Sequence, residues 1–420
     1  MSCLQPEPTL CSLSGSPGDS AAGAAVHRLD AKADRKADAR TGTAAVEFAL
    51  EAVDPCGARA GFLRTRRGVV ATPVFMPVAT HAELRGIDGD EVWATGTRVL
   101  LSNTYHLMLR PGAEVFQRLG GIHAMMQWDG VVLTDSGGFQ IFSLPTSRSI
   151  NEKGALFRSI HDNSRQLLSP ETSIAMQQAI GSDIMMVLDV CIPSTTDEAG
   201  TREAMERTHR WAMRSLAARR AGPPGAADQA LFGIVQGGVF PALRKESASF
   251  ITALPFEGFA VGGLAVGEGK QARNEMCALT AALLPSGKPR YLMGVGTPND
   301  LLDSVRSGID MFDCILPTKM AQQGYAYTFS GVLRTTRARF RLDETPLDPS
   351  CTCLVCRRYT RGYLHHLARG KHALGIRLLG IHNIAHYQTL MQRMRTAICS
   401  GTFPSLYREL APALASTELR

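Results

Sequence analysis

Four polar side chains sit at or inside short apolar runs, and chemistry is first visible there. Asp135 ends Val131–Asp135, Asp189 ends Ile184–Asp189, Gln236 ends Leu231–Gln236, and Asp313 lies within Met311–Ile315. A carboxylate among apolar residues is expensive unless it is bonded, so each acid is either a structural group held by backbone amides or a working one. Asp310 is an odd number of positions from Asp313, so on a strand the two point to opposite faces and only one can line a pocket. Asp135 stands in L-T-D-S-G-G-F-Q, where paired glycines let the backbone approach a ligand and Phe139 offers an aromatic face. The competing reading is a tight turn with an Asx cap. Asp189 and Gln236 suit a purine. A carboxylate accepts from the ring N1–H and exocyclic amine of guanine, while an amide or the N–H of a glycine such as Gly262 or Gly263 donates to O6.

A second constellation is C-x-C-x₂-C at Cys351, Cys353 and Cys356, with His382 following 26 residues later. Three thiolates and one imidazole complete a tetrahedral structural zinc site; the other reading is a set of unligated thiols. His365, His366, His372 and His386 compete as fourth ligand, and spacing does not choose among them. The remaining seven cysteines are scattered, which reads as reduced thiols rather than a disulfide framework.

These groups need a scaffold, and eight apolar runs supply one: Thr72–Pro77, Val99–Asn103, Val131–Asp135, Ile184–Asp189, Leu231–Gln236, Phe259–Leu264, Tyr291–Gly296 and Met311–Ile315. Near-continuous apolar strands belong to a parallel sheet buried on both faces. Helical stretches separate them, one opened by Ser169-Pro170-Glu171, one over Thr201–Arg220 and one opened by Pro298-Asn299-Asp300. The pattern predicts the α/β class and a (β/α)8 TIM barrel with an insertion between Asp135 and Ile184; a doubly wound sheet is the alternative. Barrel chemistry gathers at the C-terminal strand ends, where the polar residues above fall. Residues 1–44, rich in Ser, Gly, Ala and alternating charge, predict a disordered extension. Residues 45–338 form the barrel, and 339–420 a zinc-binding subdomain with C-terminal helices packing on it. The net charge of +7 leans toward a polyanion such as RNA. No apolar run reaches membrane-spanning length, which predicts a cytoplasmic protein with no membrane partner.

Taken together, D-S-G-G-F-Q, L-D-V-C, G-I-V-Q-G-G, A-V-G-G-L-A-V-G-E, Y-L-M-G-V-G-T-P, D-M-F-D-C and C-x-C-x₂-C…H resemble the bacterial tRNA-guanine transglycosylase family from about residue 46 to 415. The resemblance implies exchange of guanine at the wobble position of G-U-N tRNAs (those for aspartate, asparagine, histidine and tyrosine) for 7-aminomethyl-7-deazaguanine, toward queuosine, with no nucleotide cofactor. It makes Asp313 the nucleophile on ribose C1′ and Asp135 the general acid/base, as in retaining glycosidases. It maps the base pocket onto Asp189, Gln236, Gly263 and Leu264, with Phe139 and Met293 sandwiching the ring and Ser136, Asn103 and Gln140 in support. It also makes Lys319 a tRNA contact, Cys351, Cys353, Cys356 and His382 the ligands of one structural zinc, and the assembly a homodimer.

Three departures from the family pattern stand out. Lys319 and Gln322-Gln323 stand where many relatives have arginines and an asparagine, so a point charge replaces a bidentate fork. Val190 replaces a frequent acid and Phe139 a common tyrosine. Val266 beside Leu264 narrows the pocket toward the small base. The alternatives are insertion of queuine itself, a catalytically silent tRNA-binding subunit, and an unrelated barrel enzyme using G-V-G-T-P as a phosphate cradle.

Overall fold

The computed structural model describes residues 45–143, 148–223 and 228–415; the expected disordered extension at 1–44 lies outside them. The described chain begins with an antiparallel sheet of β1 (Val46–Val53), β2 (Arg59–Thr65) and β3 (Gly68–Thr72). The predicted run Thr72–Pro77 therefore joins two elements. Thr72 pairs with Gly61 as the last residue of β3, and Pro73, with no N–H to donate, separates it from β4 (Val74–Pro77).

The chain continues through β5 (Val99–Ser102) and β6 (Val131–Thr134), then the insertion, whose β7 (Arg148–Asn151), β8 (Gly154–Arg158) and β9 (Arg165–Leu168) form a separate antiparallel sheet. After it come β10 (Ile184–Met186), β11 (Ala230–Val235), β12 (Gly258–Val261), β13 (Arg290–Leu292) and β14 (Met311–Cys314). The order β4-β14-β13-β12-β11-β10-β6-β5 is parallel throughout, and the ring closes where Val78 bridges Leu101 and Ala79 N–H donates to Leu101 O at 2.7 Å. An eight-stranded parallel barrel results, and the doubly wound alternative falls. Every residue of β4, β5, β6, β10, β11 and β12 is buried, because helices cover the outside and side chains fill the interior. That is why these runs show no alternation.

Local signals set the helix starts. Ser169 caps the helix Pro170–Ile180 by accepting from Thr172 N, with Pro170 at its first position. Thr297 likewise caps Pro298–Arg306. The helix predicted from Thr201 begins at Glu198 instead, because Asp197 accepts from Gly200 N at 2.9 Å and fixes an earlier start. Beyond β14 come the helix Leu316–Gln322, the hairpin β15 (Tyr325–Thr328)–β16 (Gly331–Arg334) and the helix Ala373–Cys399. This last helix covers β4: Tyr387 Oη donates to Gly296 O at 2.6 Å and Gln388 Nε2 to Phe75 O at 3.0 Å. No helix among the described residues is long and apolar enough to cross a membrane.

Candidate active site

A cavity of about 450 Å³ opens among the C-terminal ends of the barrel strands, and Asp135, Asp189 and Asp313 all line it. Asp313 comes from β14, and its Oδ1 accepts from Tyr291 Oη at 2.6 Å and from Gly294 N–H at 2.8 Å. Burial pushes its carboxyl up from the usual range, and those two bonds oppose the rise. Asp310 points the other way, against Arg59 Nε at 3.2 Å and Arg290 N–H at 2.8 Å, as strand alternation requires.

Asp135 lies one residue past β6. Its Oδ2 accepts from Asn103 Nδ2 at 2.5 Å and Gln140 Nε2 at 2.9 Å, and its Oδ1 from Thr104 N–H at 2.8 Å. Burial dominates and pushes the carboxyl up to about 6, with the nearby charge of Asp313 adding to the rise. Asp189, three residues past β10, accepts from Ser136 Oγ at 3.2 Å on Oδ1 and from Gln236 Nε2 at 2.7 Å on Oδ2. Burial raises it as well.

Most of the residues expected here meet at this cavity: Asn103, Ser136, Phe139, Gln140, Gly263, Leu264 and Met293 join the three acids in its wall. Phe139 is 52% exposed, with its ring 6.0 Å from that of Phe142. Two residues do not line the cavity. Gln236 is buried behind Asp189, and a Cβ at Gly263, whose φ is 63°, would collide with the Gln236 Oε1. Lys319 is exposed on the helix Leu316–Gln322, as are Gln322 and Gln323. Val190 turns into the core with Tyr105 and Trp211, so the missing acid there leaves the cavity wall unaltered. Val266 lines the cavity beside Leu264.

Sequence reasoning missed Tyr291, Cys191, His106 and Thr80, all cavity-lining. Tyr291 pairs with Met311 in register and so shares a face with Asp313, a relation between two strands that the sequence does not display. The glycine-rich G-V-G-T-P stretch is not a free phosphate cradle, since Gly294 N–H already serves Asp313 and Thr297 Oγ1 accepts from Asp300 N–H.

The second constellation also assembles. The candidate ligand atoms of Cys351, Cys353, Cys356 and His382 all lie within 4.8 Å of one another. His382 Nδ1 stands 3.9, 3.6 and 3.3 Å from the three Sγ atoms. A tetrahedral ion with metal–sulfur bonds of about 2.3 Å and a metal–nitrogen bond of about 2.0 Å requires roughly 3.6 Å, so the group can hold a metal ion. His382 Nε2 is 2.8 Å from Tyr327 O, which fixes the ring with Nδ1 toward the sulfurs. The competing histidines are occupied elsewhere: His365 Nδ1 meets Thr335 O at 2.8 Å, His366 faces His372, and His386 packs on Phe329 and Tyr327.

A parallel eight-stranded barrel with three acids lining one mouth and, beyond its last strand, a Cys3His group that can hold a metal ion defines an α/β-barrel enzyme. Residues 54–416 match the family described as queuine tRNA-ribosyltransferase, and the chain belongs to that family of tRNA-guanine transglycosylases. It is similar to the queuine tRNA-ribosyltransferases of Symbiobacterium thermophilum (48% identical over 360 residues, 86% of this chain and 89% of the relative) and Thioalkalivibrio sulfidiphilus (48% over 356 residues, 85% and 94%). It is also similar to that of Zymomonas mobilis (48% over 346 residues, 82% and 90%).

Proposed function

We propose that the protein exchanges guanine at the wobble position of G-U-N tRNAs for 7-aminomethyl-7-deazaguanine, in queuosine formation, through a covalent bond between Asp313 and the ribose. The carrying observation is that Asp135, buried, and Asp313, half-buried, are differently bonded and face one cavity that Phe139 also lines. Both bonds to Asp313 fall on Oδ1, which leaves Oδ2 to attack C1′ as the C1′–N9 bond breaks. Asp135 gives the departing guanine a proton and takes one back from the incoming base, whose nitrogen then displaces Asp313. Two displacements at C1′ preserve configuration and bond energy, so no ATP enters. Asp189 reads the purine N1–H and exocyclic amine, and Gln236 holds Asp189 in place. The base stacks between Phe139 and Met293, worth roughly 1–3 kcal/mol.

Zinc is the ion the Cys3His donor set fits best, and its role is structural. We assign 45–338 to the catalytic barrel and 339–420 to the zinc-bearing appendage and C-terminal helices. Residues 334–371 carry nine Lys or Arg against three Asp or Glu, most of the chain's excess positive charge, and Lys319 stands exposed on the helix that follows Asp313. Both suit a tRNA backbone. A cytoplasmic homodimer is the assembly we infer, checked by light scattering.

Val266 and Leu264 at the cavity wall support the small base over queuine. In steady-state exchange into a transcribed G-U-N tRNA, the aminomethyl base should react at least about tenfold more efficiently than queuine, since an extra bulky group against a narrowed wall costs on the order of 1–3 kcal/mol. Faster turnover with queuine would reverse the assignment, and binding without any exchange would leave only a silent tRNA-binding subunit.

The proton traffic has its own signature. Asp135 sits at about 6, driven there mainly by burial, so around neutrality it stands near its own titration, where an acid/base works best. Deprotonation removes the proton the leaving guanine needs. The expected kcat/KM for tRNA falls on the alkaline side with a midpoint near 6 in the free enzyme, and Asp135→Asn erases that limb. In stability terms the raised carboxyl favours the fold below its ordinary range, and this contribution is lost as pH rises through about 6. A profile flat from pH 5 to 8 would remove Asp135 from the proton step.

A further inference from the structure

Arg244 lies behind the cavity wall, and the chemistry above gives it no role. It is 0% exposed, yet no carboxylate lies in hydrogen-bond reach of it among the described residues. It also sits in the first turn of the helix Pro241–Thr252, where the exposed N–H groups of the backbone already carry positive charge and disfavour a cation. Burial pulls its guanidinium down to about 10. A charge kept in such a place costs stability, so what it bonds to is informative.

Its partners are three backbone carbonyls. Nε donates to Gly238 O at 2.9 Å, Nη1 to Val235 O at 3.2 Å and Nη2 to Gly263 O at 3.4 Å. Val235 is the last residue of β11, directly before Gln236, and Gly238 lies in the turn that follows, closed by Phe240 N–H on Gly237 O. Gly263 lies two residues past the end of β12. One fork therefore ties together the two loops that leave neighbouring strands at the cavity. Gly237, Gly238 and Gly263 in these loops have φ of 130°, 54° and 63°, a region glycine adopts without the cost other residues carry.

The geometry has a direct consequence at the pocket. In a trans peptide the C=O and the following N–H point in opposite directions, so holding Gly263 O toward Arg244 turns the Leu264 N–H away from it. The same loop packs against Gln236, whose amide holds Asp189 at 2.7 Å. A second bond from the same helix, Ser247 Oγ accepting from Gln236 N–H at 3.1 Å, fixes the other side of that residue.

We propose that Arg244 is a positioning residue for the base pocket: its guanidinium clamps the Gln236 and Gly263 loops in the register that presents Asp189 and the Gly263–Leu264 peptide to the incoming base. The inference rests on the reading that these groups bind the base. It predicts a selective defect. Arg244→Lys keeps the cation but replaces a planar fork by a point donor that reaches one carbonyl at a time. Its KM for the free base should rise at least tenfold, with Tm and the fraction of active protein close to those of the wild type. Arg244→Met should show a larger rise in base KM than Arg244→Lys, the rank order that rescue by the retained cation requires. If Arg244→Met does not fold, Arg244→Lys decides alone.

A merely structural role would lower Tm and the fraction of active protein while leaving base KM where it was, and that result overturns the proposal. Asp189→Ala is the parallel control. If it too leaves base KM unchanged, the reading of the base pocket has failed; if it raises base KM and Arg244→Lys does not, only the clamp has failed.

Discussion

Asp313→Asn is expected to stop base exchange, lowering turnover by at least about 10⁴-fold, the scale on which loss of a covalent catalyst is felt. The asparagine keeps an acceptor for Tyr291 Oη and Gly294 N–H, so the two bonds that orient position 313 survive and the barrel should fold normally. It loses only the anionic oxygen that attacks C1′. The measurement is a denaturing gel of enzyme mixed with tRNA: the wild type leaves a slow-migrating protein–RNA band, and Asp313→Asn leaves none. Asp135→Asn separates the two acids. With the nucleophile in place, the band should still form, slowed by roughly 10²–10⁴-fold, the usual share of general acid/base help. If Asp313→Asn still formed the band and Asp135→Asn did not, the two roles would be exchanged.

The reason these two residues were readable from the sequence is the same reason they are reactive. An acid in a run as apolar as M-F-D-C-I has to be explained by its surroundings, and a parallel barrel offers only two directions, inward or outward. Alternation then separates Asp313 from Asp310 without coordinates, and the structure puts Arg59 against the second and the cavity against the first. The eight strand positions were legible for a related reason: double-sided burial erases alternation, so the runs stand out from the amphipathic helices between them.

What the sequence hid was set by contacts between distant segments. The opening sheet β1–β3 went unread although V-E-F-A-L-E alternates at period two, because its strands lack the near-continuous apolar runs of the barrel. Thr72 was joined to the next strand because a proline ends a ladder without changing hydropathy. Gln236 looked like a pocket residue because it ends a strand, but whether it touches the base or Asp189 depends on how far β10 stops short, and β10 is only three residues long. Tyr291 was overlooked because its hydroxyl acts on a residue of another strand. His382 could not be chosen among five histidines by spacing; the choice is made by Tyr327 O, which takes the far nitrogen and turns the near one to the sulfurs.

That last contact carries the second large effect. Cys356→Ala is expected to leave the purified protein with less than about a tenth of an equivalent of zinc and to lower Tm by about 4–6 °C, because at roughly 2 cal/mol/K of unfolding entropy per residue each kcal/mol lost moves Tm by only about 1–1.5 °C in a chain of this length. The three cysteines lie in one short stretch with little core of its own, Val355 being the buried residue of its helix Leu354–Arg358. His382 lies on the helix Ala373–Cys399, which also holds Gly296 O through Tyr387 and Phe75 O through Gln388. An ion held there would therefore reinforce the apolar packing of Val355 against Leu378 and Ile381 that joins the Cys segment to a helix already fixed to the barrel. Structural zinc contributes roughly 10–16 kcal/mol where it is the whole reason a small domain folds. Here the barrel core persists without it, so a loss of about 3–5 kcal/mol is the fraction expected. Cys399→Ala, at an exposed cysteine far along the helix, should change neither zinc content nor Tm. The order of loss also follows: tRNA binding should weaken before base binding, since the cavity acids sit on the barrel and the arginine-rich segment 334–371 sits on the clip. Full zinc content and an unshifted Tm in Cys356→Ala would show that the cluster is not the clip.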